Sequence, residues 1–290
     1  MKASAKSWII LIILSIVWGS SFILMKKGME AFSSDEVAGL RIAIAFLFLV
    51  PFYIKHHAID FKKNFMGLML MGVFGNLIPA FLFTKAETQI SSSLTGMLNA
   101  LTPLFTIVVA FFWFKTKFKT VQLVGIMSGL VGAMVLLYFN DGGDTSTNVL
   151  YSLLVVAATI CYAISVNGIK HYLSNMNSVT ATVGAFTITG PIALAYLFIQ
   201  TDFINDLKTN PIALSSLGYV SILAIVGSAL SVIVYNTLIK EAGTVFASTC
   251  TYLIPIIAVI WGVLDGETVN LLQMSGVIVV IFSVYLINRR

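Results

Sequence analysis

Five polar or aromatic side chains interrupt long apolar runs of the sequence. They are Trp18, Asn76, Asn99, Tyr162 and Tyr252. An asparagine amide carries two donors and an acceptor, and the ring of a tryptophan or tyrosine has one hydrogen-bonding edge. Because lipid cannot satisfy such groups, they suit the binding of an amphipathic solute. The alternative is that they hydrogen-bond helices to one another, as is common in membrane bundles.

Charged side chains are almost absent from the middle of these runs, where a charge is costly and is normally kept for a function. Arg41 is the exception. It could extend to the lipid headgroups or pair with Glu36, and the alternative is a gate or a contact to a substrate carboxylate. Because phosphate recognition calls for buried cations, the pattern argues against phosphorylated substrates. It argues equally against a buried carboxylate as proton carrier, and Glu87, which borders the fourth run, is expected to be solvated.

Two prolines interrupt apolar runs at similar places. They are Pro103 and Pro255, and each would free the carbonyl four residues earlier, at Asn99 and Thr251. Interrupted helices at matched places in two halves of a chain indicate a transport site. A packing kink is the structural alternative. We therefore predict a hinge or a kink at both prolines.

Catalytic patterns find no support. The histidines are His56, His57 and His171, and both cysteines lie inside apolar runs. No cluster therefore suggests a metal site or a general base. Neither the phosphate-binding pattern G-x-x-x-x-G-K-[ST] nor the dinucleotide pattern G-x-G-x-x-G occurs. We predict a protein that is not an enzyme and that has no metal site and no cofactor.

Composition determines which elements must position these residues. Hydrophobic residues make up 58% of the chain and charged residues 10%, against about 25% charged in soluble domains. Ten runs reach the roughly 20 residues that a spanning helix needs. They cover about 7–25, 36–54, 64–84, 88–113, 120–139, 148–169, 178–200, 212–237, 243–264 and 269–287. The sequence therefore predicts an all-α integral membrane protein with ten transmembrane helices.

The basic residues predict an orientation, because cytoplasmic loops are enriched in Lys and Arg. With the N-terminus inside, twelve basic residues fall on the cytoplasmic side, and the outer side holds Lys26, Lys27, Lys85 and Lys208. The N- and C-termini are then both cytoplasmic. The net charge of +5 is explained by this topology, so no nucleic-acid partner is expected.

A polar loop from 140 to 148 separates five runs from five, so the second half must enter the membrane from the opposite side. We predict two inverted-topology repeats, 1–140 and 141–290. Trp18 and Lys26 correspond to Tyr162 and Lys170 at an offset of 144. Inverted repeats are a recurring plan of secondary transporters, with the substrate site between the repeats.

Several of these stretches together resemble the EamA family of the drug/metabolite transporter superfamily. They are WGSSFILMKKGME from Trp18, VAGLRIAIAF around Arg41, TPLFTIVVA, IPIIAVIWG and the DGE of Asp265 to Glu267. The resemblance implies a ten-helix bundle with a central cavity lined mainly by helices 1, 3, 4, 6, 8 and 9. It also implies metabolite transport, commonly export of amino acids. One departure is that the first half lacks the glutamate matching Glu267 and has Trp113-Phe114-Lys115 there.

The functional hypothesis is a secondary transporter in the cell membrane that moves a small neutral or zwitterionic metabolite by alternating access. Export is preferred on the resemblance alone. The alternatives are a non-transporting sensor or scaffold, or a transporter of nucleosides or amines. The expected partners are the small-molecule substrate and membrane lipid, with the protein a monomer or a homodimer.

Overall fold

The computed structural model describes residues 4–55, 59–115, 120–138, 145–242 and 250–288. These residues are helical, with no strand among them. The uninterrupted long helices are α2 (Ser34–Lys55), α5 (Thr120–Tyr138), α6 (Thr145–Tyr172), α7 (Ser178–Gln200), α9 (Cys250–Leu264) and α10 (Leu271–Asn288). The segmented ones are α1 (Ala5–Gly19, Ser21–Gly28), α3 (Phe61–Met69, Leu70–Leu77, Ile78–Ala86), α4 (Ser92–Asn99, Thr102–Phe114) and α8 (Ala213–Ile222, Leu223–Leu230, Ser231–Ala242). A short helix, Phe203–Thr209, joins α7 to α8.

Six of these helices are long and apolar enough to cross a membrane: α1, α3, α4, α6, α7 and α8. Shorter apolar helices occur within α5, α9 and α10. Large apolar side chains face outward, including Phe112 at 76% and Leu271 at 87% exposure. A soluble monomer does not expose apolar surface on this scale, so the chain is a multi-pass membrane protein. The predicted boundary between the halves, at 140 and 141, lies outside the described residues.

Several helices pack against helices that are distant from them in the sequence. α5 packs along α10, α2 along α7, and the first segment of α4 along α9. Glycines allow the closest of these approaches. A Cβ at Gly132 of α5 would lie 2.8 Å from Val280 Cγ2 and 3.0 Å from the Gly276 carbonyl oxygen of α10. The α5–α10 contact therefore depends on the missing side chain.

Two helices contain a π-helical segment of eight residues each, Leu70–Leu77 in α3 and Leu223–Leu230 in α8. Side chains fill the wider turns, since Asn76 Nδ2 donates to the Met71 carbonyl oxygen at 3.0 Å and Ser231 Oγ to that of Val226 at 2.6 Å. π-Segments are rare and frequently occur at functional sites. Both of these reach the central cavity.

The two prolines have different local structures. α4 is broken at residues 100 and 101, and Pro103 stands in the first turn of its second segment. There the missing N–H costs nothing, and the Asn99 carbonyl oxygen accepts from Thr102 Oγ1 at 2.8 Å. Pro255 lies inside α9, and residues 243–249 before that helix are not described. Whether either proline acts as a hinge stays a prediction.

Candidate functional site

A cavity of about 400 Å³ occupies the centre of the bundle, and small-molecule sites measure about 300–1,000 Å³. Its walls come mainly from α1, α3, α4, α6, α8 and α9, with Arg41 of α2 and Ser178 and Ala181 of α7 added. These helices bring residues from both ends of the sequence to one space. The cavity is therefore the candidate binding site.

The two ends of the cavity differ in exposure. At one end, which we call the Lys170 end, the lining residues Lys170 and Ser174 are exposed. At the opposite end, which we call the Lys26 end, the lining residues Met25 and Phe83 are 1% and 2% exposed. The lining is thus partly exposed at the Lys170 end, whereas apolar side chains at the Lys26 end are buried.

Four of the five predicted binding residues line this cavity, namely Trp18, Asn76, Asn99 and Tyr162. Tyr252 is not among the lining side chains of the described residues, although Thr251 is. Successive residues of a helix point in different directions, so an aromatic residue in the right helix can still face away from the cavity. The part that the four lining residues take in binding remains a prediction.

Trp18 is fixed by a contact with the π-segment of α8. Its indole Nε1 donates to the Gly227 carbonyl oxygen at 3.1 Å, and its ring meets the ring of Tyr235 edge-on at 5.0 Å. Because the N–H of Trp18 already has an acceptor, its hydrogen-bonding capacity is used within the protein. The same bond ties α1 to α8 across the cavity wall.

Arg41 does not pair with Glu36, which was one of the roles expected from the sequence. It lines the cavity, and whether it serves as a gate or a substrate contact stays a prediction. Arg41 Nε donates to Ser228 Oγ at 2.9 Å, and Nη1 lies 3.8 Å from Met25 Sδ. The Glu36 carboxylate instead accepts from the Ser33 backbone N–H at 2.8 Å. The acceptor, Ser228, belongs to the π-segment of α8, and its position could not be predicted from the sequence.

Several lining residues were missed from the sequence. Tyr235 and Asn236 line the cavity from α8, and Ser165 lines it from α6. A signal did exist, since Asn236, like Asn76, is an asparagine within a predicted apolar run. Both Tyr235 and Asn236 lie at the end of the run 212–237, where a polar side chain can also reach the membrane interface.

An ion-pair cluster closes the Lys26 end. Lys26 Nζ lies 2.7 Å from Asp265 Oδ2 and 2.9 Å from Glu267 Oε1. Lys27 Nζ lies 2.8 Å from Asp265 Oδ1 and 2.8 Å from Glu30 Oε1. The lysines end α1 and the acceptors Asp265 and Glu267 follow α9, so the cluster fastens these two helices together.

Glu267 also holds the N-terminus of α4. Its two carboxylate oxygens accept from the backbone N–H and hydroxyl groups of Ser92 and Ser93, at 2.6–3.0 Å. An anion is stabilised at a helix N-terminus by the unpaired N–H groups and the helix dipole. Burial by itself raises the pKa of Glu267, but the hydrogen bonds from Ser93, Lys26 and Ser92 outweigh it and hold the pKa at about 2. Glu267 is therefore a buried anion that joins three helices.

Glu87, which follows α3, contradicts the expectation that it is solvated. Both of its carboxylate oxygens are buried, and neither has a hydrogen-bond partner within the described residues. Burial raises the pKa of Glu87 well above its ordinary value, and the charge of Glu267 raises it further. The sequence could not indicate this, because a carboxylate at the end of a helix is usually exposed. Here Phe83, Ala86 and Ile90 beside it belong to one buried cluster.

Comparison with known proteins connects this architecture to a family. The model of the EamA-like transporter family matches residues 6–138 and again residues 149–289. The chain belongs to the EamA-like transporter family. Together with relatives that are named as transporters, this membership identifies a membrane transporter of the drug/metabolite transporter superfamily and not an enzyme.

Similar proteins include the uncharacterized inner membrane transporter YedA of Escherichia coli, 28% identical over 95% of this chain and 88% of that protein. An uncharacterized transporter of Archaeoglobus fulgidus is 24% identical over 98% and 99% of the two chains. A probable amino-acid metabolite efflux pump of Salmonella typhimurium is 22% identical over 98% and 95%. A solved crystal structure superimposes with a TM-score of 0.63 at 14% identity, covering 98% of this chain and 96% of the other. That likeness shows the fold alone.

Proposed function

We propose that this EamA-family protein is a secondary transporter that exports a small zwitterionic or neutral metabolite of the amino-acid type by alternating access. The observation that carries the proposal is the single-ended cavity. The lining residue Lys170 is exposed at one end, whereas Met25 and Phe83 are buried at the other, behind the ion-pair cluster. A channel would need a path open at both ends, whereas a transporter alternates between one end and the other.

Two inverted five-helix repeats would provide the moving parts. Three observations support this arrangement. The family model matches the chain twice, the π-segments occupy the third helix of each half, and α2, α4 and α5 pack against the helices five positions later. In repeat-built transporters the substrate site lies between the repeats, which is where the cavity lies.

The charge distribution of the loops supports an orientation in the inner or plasma membrane in which the Lys170 end and both termini are cytoplasmic. In this arrangement the cavity is loaded from the cytoplasm, as an exporter requires. The name of the Salmonella typhimurium relative, an efflux pump for amino-acid metabolites, supports the same direction and substrate class.

The charges at the cavity favour a carboxylate over an amine. Among the described lining residues, the charged side chains are Arg41 and Lys170, and both are cations. Arg41 makes its hydrogen bond to a neutral hydroxyl, and the described residues place no carboxylate within ion-pair distance of it. We therefore assign Arg41 to the carboxylate of the solute, and Trp18 and Tyr162 to its apolar part.

The test begins with thermal-shift screening of the purified protein against amino acids, amino-acid amides, nucleosides and amines. A ligand present at about 100 times its Kd stabilises by about 2.7 kcal/mol, so carboxylate-bearing solutes should raise the melting temperature. Each stabilising solute is then loaded into proteoliposomes, where we expect efflux. The Asn99→Ala variant should reduce it, and the Asn205→Ala variant, altered on the short surface helix, should not.

Absence of flux for every stabilising solute, with a folded protein, would favour the sensor or scaffold alternative. Stabilisation by amines or nucleosides without amino acids would overturn the substrate class while leaving transport intact.

A further inference from the structure

The buried carboxylate of Glu87 has no part in the binding site described above. It lies just past the end of α3, one helical turn beyond Phe83, which lines the cavity. Its two oxygens are shielded from solvent and lack a protein partner within the described residues. A carboxylate in this setting is removed from water and gains no hydrogen bond or ion pair in exchange, which strongly disfavours its ionised form.

Three charged groups act electrostatically on Glu87, and they belong to different elements. They are Glu267 in the loop after α9, Lys26 of α1 and Arg41 of α2. The two cations are committed elsewhere, since Lys26 binds Asp265 and Glu267 and Arg41 binds Ser228. Glu87 therefore has no ion pair of its own among the described residues.

Protonation removes the conflict. The pKa of Glu87 is raised well above its ordinary value by burial and then by Glu267, and Lys26 and Arg41 oppose this shift without cancelling it. An uncharged carboxylic acid is stable in the closed arrangement. If the Lys26 end opens, water reaches the group and the carboxylate becomes the stable form again.

We propose that Glu87 is a proton-binding site whose occupancy is tied to closure of the Lys26 end. As that end closes, the Glu87 carboxylate takes one proton from a hydronium ion of the adjacent solvent, forming an O–H bond and releasing water. As the end reopens, the proton returns to water. No other bond changes, and no other reactant is required.

The proposal rests on the alternation proposed above and adds its proton dependence. A conformation that binds one more proton than its alternative is favoured by acid. Acidification on the Lys26 side should therefore favour the closed conformation seen here, and alkaline solution should favour opening.

Infrared spectroscopy of the full-length protein in vesicles, with the proton as the sole ligand, tests the site directly. We expect the carbonyl band of a protonated carboxylic acid at neutral pH, and we expect it to be lost in Glu87→Gln. The matched control, Asp202→Asn, changes an exposed carboxylate outside the ion-pair cluster and should retain the band. A band that persists unchanged in a folded, monodisperse Glu87→Gln protein would overturn the proposal.

A second measurement tests the link to closure. In a background without Cys161 and Cys250, the Ile90→Cys substitution places a thiol at a position that is 6% exposed. This position belongs to the buried apolar cluster beside Glu87. Labelling by a membrane-impermeant maleimide should fall several-fold as the external solution is acidified. In Glu87→Gln, which mimics the protonated form, labelling should be low and independent of pH. Thr88→Cys, at an exposed position, should be labelled throughout.

If labelling of Ile90→Cys fell equally with acid in proteins with and without Glu87, the link between Glu87 protonation and closure would be refuted. Neither measurement uses a transported solute, so they can succeed even if no amino acid is moved. Conversely, flux of an amino acid would stand if Glu87 proved to be ionised.

Discussion

Arg41 and Glu87 show how burial acts on single charged residues of opposite sign. Arg41 keeps a hydroxyl acceptor at 2.9 Å and lines a cavity that reaches solvent. Glu87 has neither advantage. An ionised group keeps its charge where hydrogen bonds or water stabilise it. The first residue is therefore suited to meeting a charged solute, and the second to carrying a proton.

Replacing Arg41 by glutamine tests its proposed contact with the substrate. Hydrogen bonds to charged groups contribute about 1.5–3 kcal/mol, so we expect the Kd of a carboxylate-bearing solute to rise about 10- to 100-fold. The corresponding amide, which lacks the charge, should bind both proteins alike. The affinities come from isothermal titration, with Lys85→Gln at an exposed position as the control. Equal losses for acid and amide would indicate a structural role.

Glu267 gives a prediction about stability. We expect Glu267→Gln to lower the free energy of unfolding by about 2–3 kcal/mol, because bonds to a charged acceptor are lost at a site that is 7% exposed. The measurement is thermal unfolding in detergent. The control is Glu241→Gln. Glu241 pairs with Lys6 at the surface, where the two side chains are 39% and 69% exposed respectively, so its loss should change stability by less than about 1 kcal/mol.

The pH dependence of that stability has a defined sign. The pKa of Glu267 is lowered from 4.5 to about 2, so its contribution is fully present above pH 4.5 and is lost as the pH falls toward about 2. The difference between wild type and Glu267→Gln should therefore shrink on acidification. A difference that stays constant down to about pH 2 would contradict the assignment.

At the level of helices, the two π-segments set the geometry of the site. They carry Asn76 and Ser228 on cavity-facing turns and leave the Gly227 carbonyl oxygen available to Trp18. The apolar runs predicted a helix at both places, but not its winding. The same apolar composition is compatible with a π-turn and with an α-turn. Which of the two forms depends on packing against neighbours that are distant in sequence. The hydrogen bond of Arg41 could not be predicted for the same reason, since its acceptor lies 187 residues away.

The α5–α10 contact gives a prediction at this scale. A Cβ at Gly132 would crowd Val280 and the backbone of Gly276, and overpacking costs about 1–3 kcal/mol. We expect Gly132→Ala to lower the melting temperature. Gly218→Ala is the matched control, because nothing lies within 4 Å of a Cβ there and alanine is the better helix former. Equal melting temperatures for the two variants would show that α5 and α10 separate without penalty.

For the whole molecule, composition alone was enough to predict a membrane-spanning helical protein, because lipid leaves few other solutions for so apolar a chain. Four of the five predicted binding residues line one cavity, because polar groups in apolar runs turn away from lipid, and Tyr252 is the exception. The closed end was not predictable. It depends on the ion pair between Lys26 and Glu267, a residue 241 positions later. It also depends on carboxylates that lie in predicted loops, where the sequence predicts exposure to water.

Orientation of the whole chain is the remaining prediction. With Cys161 and Cys250 replaced, Lys208→Cys should react with an impermeant maleimide added to intact cells, and Lys62→Cys should react after lysis alone. The expectation follows from the excess of basic residues on the cytoplasmic side. Reaction of both cysteines in intact cells would refute the inverted arrangement of the two halves.

The cover over the Lys26 end has a consequence for inhibition. A competitor added on that side has no path to Trp18 until the cluster separates, and Glu267 must release Lys26 and the first turn of α4 together for this to happen. The onset of inhibition from that side should therefore be slow, because its rate is limited by the opening of the Lys26 end. The same compound supplied from the Lys170 side should act as fast as it diffuses, so the time course of block would reveal which face the resting transporter presents.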